Sequence, residues 1–194
     1  MSKKTVVITG SSRGIGRACA ILFAKNNYNV VINYNKSKEL AEELFNDLKE
    51  AGYSVDIFKA DISNRFEANS LINHCIGKFG KIDVLINNAG ISQNKLFTDI
   101  TDDDWNEMMG TNLNGIFYTT QKALQYMLPE CSGKIINISS IWGMVGGSYE
   151  VHYSTSKAAI IGMTKALAKE LGPSNIQVNC IDPGVIQTDM LNDI

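Results

Sequence analysis

The chain has 194 residues, of which 44% are hydrophobic, 20% charged and only 3 are prolines; this is the composition of a globular protein with one substantial core, not a fibrous or disordered one. No proline-rich, serine-rich or single-sign charged run divides it, so one domain over 1–194 is expected. Its 18 Lys+Arg nearly cancel 20 Asp+Glu, leaving a formal charge of -2, and no nucleic-acid or membrane partner is expected.

The start, MSKKTVVITG, is basic, but its apolar run of Val6, Val7 and Ile8 is too short for a signal peptide or a membrane span, so a cytoplasmic protein is expected. Residues 5–9 (TVVIT) read as a first strand. It runs into Gly10, Ser11, Ser12, Arg13, Gly14, Ile15 and Gly16, a turn whose glycines permit tight geometry and let amides and a helix N-terminus approach a diphosphate. The spacing is GxxxGxG and departs from the generic GxGxxG fingerprint, so the rule applies by its mechanism.

A second strand is read at 29–33 (NVVIN), then a helix carrying Leu40, Leu44 and Leu48. An acid at the end of the second strand would accept from a ribose 2′-hydroxyl, whereas a 2′-phosphate wants cations. The chain offers Asn33, Tyr34, Asn35 and Lys36, with Arg13 able to reach the same place. These cations favour a 2′-phosphate over a free 2′-hydroxyl. A third strand at 54–58 leads to Asp61 and Ile62, where Asp61 reads as a helix-capping group ahead of Asn64.

Ile72, Ile76 and Phe79 mark the next helix and 82–86 (IDVLI) a fourth strand, followed by Asn87, Asn88, Ala89 and Gly90. Small residues there let a cofactor cross the strand end closely. Strands at 134–138 and 176–181 flank a helix carrying Ile160, Thr164, Leu167 and Leu171. Six strands alternating with helices predict a Rossmann-like, doubly wound parallel α/β sheet with its ligand site at the strands' carboxyl ends. Cys19, Cys75, Cys131 and Cys180 have no CxxC spacing and read as buried, reduced thiols; His74 and His152 have no ligand spacing, and no metal site is expected.

The stretch SSIWGMVGGSYEVHYSTSK at 139–157 holds two candidate serines and two candidate tyrosines. A phenol with a pKa of ~10 needs a nearby cation to donate its proton readily. Lys157 lies four residues after Tyr153, on the same helical face, whereas Tyr149 has Tyr153 at that position and follows Gly146 and Gly147. Tyr153 is thus the reactive phenol and Tyr149 a cleft wall or packing residue. Ser139 and Ser140 should point to opposite sides of the strand end, but parity does not say which faces the cleft.

Taken together, TGxxxGIG, NNAG at 87–90, Asn112, Ser140, Tyr153 with Lys157, and Pro183-Gly184 followed by Thr188 resemble the short-chain dehydrogenase/reductase family over positions 5 to 190. The resemblance implies a nicotinamide-dependent oxidoreductase, and with Arg13 and Lys36 and no acid at the end of the second strand NADPH is expected over NADH. It places the catalytic serine thirteen residues before the tyrosine, at Ser140, and leaves Ser139 to bond backbone. It implies that Tyr153 protonates the oxygen of a ketone as hydride arrives, that Ser140 donates to that oxygen, that Lys157 holds the nicotinamide ribose and lowers the tyrosine pKa, and that Asn112 positions a water leading from the lysine. It further assigns Pro183, Gly184, Val185, Ile186 and Thr188 to the nicotinamide side, and implies an adenine contact at Asp61 that can coexist with its capping role.

Asp182 departs from the family's small uncharged residue and puts a carboxylate near that side. The family normally continues past this segment into a substrate lid, a helix and a seventh strand, so a C-terminally truncated form is expected, with homo-oligomers if the complete chain carries the continuation.

The branch most resembled is the 3-oxoacyl-[acyl-carrier-protein] reductases, implying a small-molecule or acyl-carrier-linked ketone substrate. Trp142 and Glu150 make the cleft wall bulkier and more acidic than that branch usually has, and SSIWG with EVxYS also resembles reductases of a ketone-bearing lysine modification on elongation factor P. Other relatives reduce sugars or steroids. A cofactor-binding subunit without turnover is the alternative of another class, and the intact Ser140, Tyr153 and Lys157 argue against it.

Overall fold

A computed structural model describes residues 3–188. Six parallel strands form one sheet: β1 (Thr5–Ile8), β2 (Asn29–Tyr34), β3 (Val55–Lys59), β4 (Val84–Asn87), β5 (Gly133–Ile138) and β6 (Ile176–Ile181). Their spatial order is β3-β2-β1-β4-β5-β6, so the winding reverses between β1 and β4. The doubly wound α/β architecture expected from the alternation is present, and a crevice opens where the chain departs in opposite directions from neighbouring strand ends.

The strands sort their side chains by period two. Val6 and Ile8 of β1 join one buried cluster with Val30, Ile32, Val84 and Ile86, covered by α1 (Gly14–Lys25) and α2 (Lys38–Glu50) through Ala20, Ala24, Leu44 and Leu48. Val7 points the other way, into a cluster with Val31, Leu85 and Ile135 under α3 (Arg65–Phe79). Each fully buried aliphatic side chain contributes about 1.5–3 kcal/mol, which fixes the register because a one-residue slip would exchange the two faces.

Between β4 and β5 lie α4 (Asp102–Met109), a π-helical turn at Gly110–Asn114 and α5 (Gly115–Met127); α5 helps cover the second face. Past β5 come the short α6 (Ile141–Val145) and the long α7 (Val151–Leu171). The helix starts are set locally. Asn64 caps α3 by accepting from the amides of Phe66 and Glu67, and Thr101 and Asp104 form a reciprocal capping box on α4. Asn64 therefore fills the capping place proposed for Asp61.

Three expectations are corrected. The first strand ends at Ile8, since the Thr9 hydroxyl is used across the strand ends, and the fourth begins at Val84, since the Asp83 carboxylate accepts from the Thr5 amide at 2.7 Å. Cys131 is exposed because it falls in the turn before β5 with φ 45°, while Cys19 and Cys180 are half-buried and only Cys75 is fully buried. Among the described residues no helix is long and apolar enough to cross a membrane.

Candidate active site

A cleft of about 690 Å³ runs along the carboxyl ends of the strands. Its floor is the glycine turn. Gly10 has φ +60°, and a Cβ there would lie 2.8 Å from Ala89 Cα, so the turn and the segment after β4 touch as only glycine allows. Arg13, in extended backbone geometry, offers no side-chain cap to α1, and the first turn of α1 has no acidic residue. The helix thus keeps free amides and positive dipole at the cleft, the arrangement an anionic diphosphate needs.

Gly10, Ser12, Arg13, Gly14 and Ile15 line the cleft as the sequence predicts. Gly16 does not. A Cβ there would lie 2.5 Å from Asn88 Nδ2 and 2.6 Å from Gly10 O, so it acts in packing. Asn88 Nδ2 in turn donates to the carbonyls of Thr9 and Gly10 at 3.0 and 2.9 Å. The Thr9 hydroxyl accepts from the amides of both Asn88 and Ala89 at 3.0 Å, a clasp that sequence reasoning missed.

Asn33, Tyr34, Asn35, Asp61 and Ile62 line one end of the cleft, with Lys36 beside them. Asn33 is only 2% exposed, and its amide serves the frame: Oδ1 accepts from Gly10 N at 3.0 Å and Nδ2 donates to the carbonyls of Phe58 and Ala60 at 3.3 and 3.1 Å. Arg13 and Lys36 are exposed, with no carboxylate within salt-bridge distance among the described residues, whereas Arg17 reaches Glu43 and Asp47. Burial pushes the Asp61 carboxyl up, but hydrogen bonds from Ser63 and Asn35 and the Lys36 charge outweigh it and hold the pKa below the usual value.

Ser140, Tyr153 and Lys157 share the opposite wall. Ser140 ends the run from β5 and caps α6, accepting from Trp142 N at 3.2 Å. Ser139 turns away and donates to the Lys157 carbonyl at 2.7 Å, the backbone role expected of it. Lys157 Nζ lies 5.5 Å from the Tyr153 ring centroid, confirming the shared helical face, and donates to Ile138 O at 3.0 Å. Burial pulls the Lys157 pKa down to about 8, with Cys180 acting the other way.

The tyrosine electrostatics differ from expectation. Burial pushes the Tyr153 pKa up, the Ser140 hydroxyl draws it down and the Glu150 carboxylate pushes it up again, with a net rise. Lys157 is not among the groups that move it, so the expected fall does not occur. Tyr149 is 55% exposed with φ 65° at the entry to α7 and is neither cleft wall nor packing residue.

Asn112 is fully buried in the π turn and does not line the cleft. Its Oδ1 accepts from Ile91 N at 2.8 Å, and Nδ2 donates to Ile91 O at 3.0 Å and to the Ser156 hydroxyl at 3.1 Å. A Cβ on Gly90 would meet Asn112 Oδ1 at 3.2 Å and Lys157 Nζ at 3.4 Å, so the three groups converge. Ala89 and Gly90 line the wall between the two ends.

Pro183, Gly184, Val185, Ile186 and Thr188 line the far side as predicted. Asp182 does not line the cleft; its Oδ1 accepts from Cys180 Sγ at 3.5 Å. A partly buried relay from His152 through Gln93 to Asp104 and Lys95 ties α7 to α4, and no sequence pattern pointed to it.

The sheet order and the glycine turn are those of a Rossmann-like, doubly wound domain, and the chain belongs to the short chain dehydrogenase family, whose model matches residues 4–194. It is similar to the 3-oxoacyl-[acyl-carrier-protein] reductase FabG of Staphylococcus aureus strain Mu50, 41% identical over 187 residues that cover 96% of this chain and 76% of the relative. It is also similar to the 3-oxoacyl-[acyl-carrier-protein] reductase of a Synechocystis species, 38% identical over all of this chain and 78% of the relative, and to FabG of Thermotoga maritima, 37% identical over 96% of this chain and 76% of the relative.

Proposed function

We propose that the chain is an NADPH-dependent reductase of ketones of the 3-oxoacyl thioester type. The observation that carries this reading is the convergence of Ser140, Tyr153 and Lys157 on one wall of the cleft that the glycine turn floors. The residues fit the cofactor: free amides at the start of α1 and the close Gly10–Ala89 contact suit a diphosphate, and unpaired Arg13 and Lys36 suit a 2′-phosphate. The thioester class comes from the names of the relatives.

When bound, NADPH supplies the hydride that reduces the ketone carbon. Tyr153 delivers its hydroxyl proton to the oxygen, and the Ser140 hydroxyl donates a hydrogen bond to the same atom, so both groups act on charge that grows toward the transition state. The raised Tyr153 pKa keeps the phenol protonated at neutral pH, the form that reduction consumes. Lys157, one helical turn away, is placed to hold the nicotinamide ribose. Asn112 fixes Ile91 and thereby the strand-end wall opposite the lysine.

The test is NADPH oxidation with an acetoacetyl thioester and with simple ketones. Turnover confined to NADPH plus a ketone is expected; saturating cofactor with no oxidation on any ketone defeats the reading.

A further inference from the structure

Three ties join the segment after β4 to the chain around Tyr153, and they fall on every second residue, the period of an extended chain. Ile91 is held at both its amide and its carbonyl by Asn112, whose Nδ2 also donates to the Ser156 hydroxyl at 3.1 Å; that hydroxyl donates in turn to Tyr153 O at 2.7 Å. Gln93 Oε1 accepts from His152 Nε2 at 2.9 Å. Lys95 N donates to Tyr149 O at 2.8 Å and so holds a non-glycine residue in left-handed geometry, φ 65°. Tyr153 is thus fixed from the residue before it and from the turn after it by one and the same wall, on which Ile91 and Ser92 line the cleft.

The middle tie has a set direction. Asp104 Oδ2 accepts from Lys95 Nζ and from the Thr101 hydroxyl, both at 2.6 Å, and the bonds from Lys95, Thr101 and Gln93 hold its carboxyl well below the usual range, so it is ionised and can only accept. Gln93 must then turn its amide nitrogen toward Asp104, where Nε2 donates to Oδ1 at 2.8 Å, and its oxygen toward His152. The His152 proton consequently sits on Nε2. That leaves Nδ1 bare, and it is buried without a partner among the described residues, in a side chain that is fully buried. Burial pulls the His152 pKa down, Asp104 opposes and Lys95 adds to the fall, so the ring is neutral at neutral pH. A leucine would fill this place with no unmet nitrogen; what the imidazole alone supplies is the bond to Gln93.

We propose that Gln93 and His152 are positioning residues of the reaction: their bond, oriented by Asp104, sets where the first turn of α7 stands against the wall after β4, and so where the Tyr153 hydroxyl meets the ketone oxygen. Neither side chain lines the cleft, so both act through Tyr153 and not on the substrate. The role rests on the ketone-reductase reading, and it matters because a reacting group displaced by a fraction of its bond length loses much of its effect.

The test removes the bond from either side and from both, as Gln93→Leu, His152→Leu and the double variant. Turnover is followed by NADPH oxidation with a ketone that wild type reduces, and cofactor affinity by titration. The tyrosines are watched by fluorine NMR of protein carrying 3-fluorotyrosine, the Tyr153 resonance being assigned by its loss in Tyr153→Phe. Each single variant should lower kcat by roughly tenfold or more while the NADPH Kd stays within about twofold of wild type. The double variant should fall no further than the worse single one, since both act through one bond. In all three the Tyr153 resonance should shift or broaden, while those of Tyr28, Tyr53 and Tyr126, which do not line the cleft, stay in place. Wild-type kcat or an unmoved Tyr153 resonance in Gln93→Leu overturns the proposal. So do additive losses, or equal disturbance of the remote tyrosines, which mark residues that only support the fold. Gln93 is half-buried, so Gln93→Leu decides alone if His152→Leu does not fold. If wild type turns over no ketone, the reductase reading fails, and the fluorine resonance decides whether the tie positions Tyr153.

Discussion

Asn33 Oδ1 accepts from Gly10 N at 3.0 Å, which makes the end of β2 the anchor of the glycine turn that follows β1. The same amide spends its two protons on the carbonyls of Phe58 and Ala60. An acid here would be the usual device for binding a ribose 2′-hydroxyl, but in this frame a carboxylate would face two carbonyl oxygens with no proton to give. Asn33→Asp is therefore expected to lower stability by about 1–3 kcal/mol in urea unfolding, without converting the protein to NADH use. A stable variant that prefers NADH would contradict the anchoring role.

The parts of this architecture written as local pattern were readable from the chain. Alternating β-branched runs specify parallel strands, and the four-residue step from Tyr153 to Lys157 specifies a shared face because helix geometry leaves no other choice. The parts set by tertiary partners were not. Whether Asn33 faces ribose or backbone depends on β3 arriving beside it, and the Thr9 clasp depends on β4. Gly16 reads in sequence like any glycine of the turn, yet its neighbour Asn88 decides its task. The rise in the Tyr153 pKa could not be seen in the spacing either, since desolvation and the Glu150 charge come from how α7 sits against the sheet.

Removing the Tyr153 hydroxyl removes the only phenol that lines the cleft beside Lys157 among the described residues. Tyr153→Phe should lower kcat by about 10²–10⁴ while NADPH affinity stays within a few-fold, measured by single-turnover kinetics and fluorescence titration. Tyr149→Phe, at an exposed position, should leave both unchanged. Equal loss in the two variants would mean that the phenol acts through folding.

Burial holds the Lys157 pKa down to about 8, against the ordinary lysine value of 10.5. The unfolded chain therefore binds more protons between those values, so this group's contribution makes stability rise with pH across that window and imposes its full penalty below it, roughly 3 kcal/mol. Cys19, Cys180 and Tyr153, whose pKa values are raised, act with the opposite sign at alkaline pH, so the difference between wild type and Lys157→Met isolates the lysine. Urea unfolding should show wild type gaining on the variant between about pH 8 and 10.5. A pH-independent difference would show that the ammonium is not desolvated.

Two glycines in helices should respond oppositely to alanine. At Gly16 a Cβ would collide with Asn88 Nδ2 and Gly10 O, and the carbonyl cannot move without opening the turn. Gly16→Ala should cost about 1–3 kcal/mol and weaken NADPH binding. At Gly162, inside α7, a Cβ meets nothing within 4 Å, so Gly162→Ala should stabilise by about 0.5–1 kcal/mol through helix propensity alone. Thermal and urea unfolding of both variants, beside cofactor titration, would check the contrast.

Arg13 bears on cofactor choice without bearing on the fold. Its side chain is exposed at the mouth of the cleft, caps nothing and meets no carboxylate among the described residues, so its removal exposes no orphaned partner. If its guanidinium meets the 2′-phosphate, Arg13→Ala gives up one charge-assisted contact, about 1.5–3 kcal/mol, and the NADPH Kd should rise roughly tenfold or more. NADH lacks the phosphate and should bind within about twofold of wild type, since only the general field of one surface charge is lost. Lys36→Ala should act in the same direction more weakly, because its flexible ammonium is also drawn toward Asp61. Equal weakening for both cofactors would place Arg13 at the diphosphate rather than at the ribose.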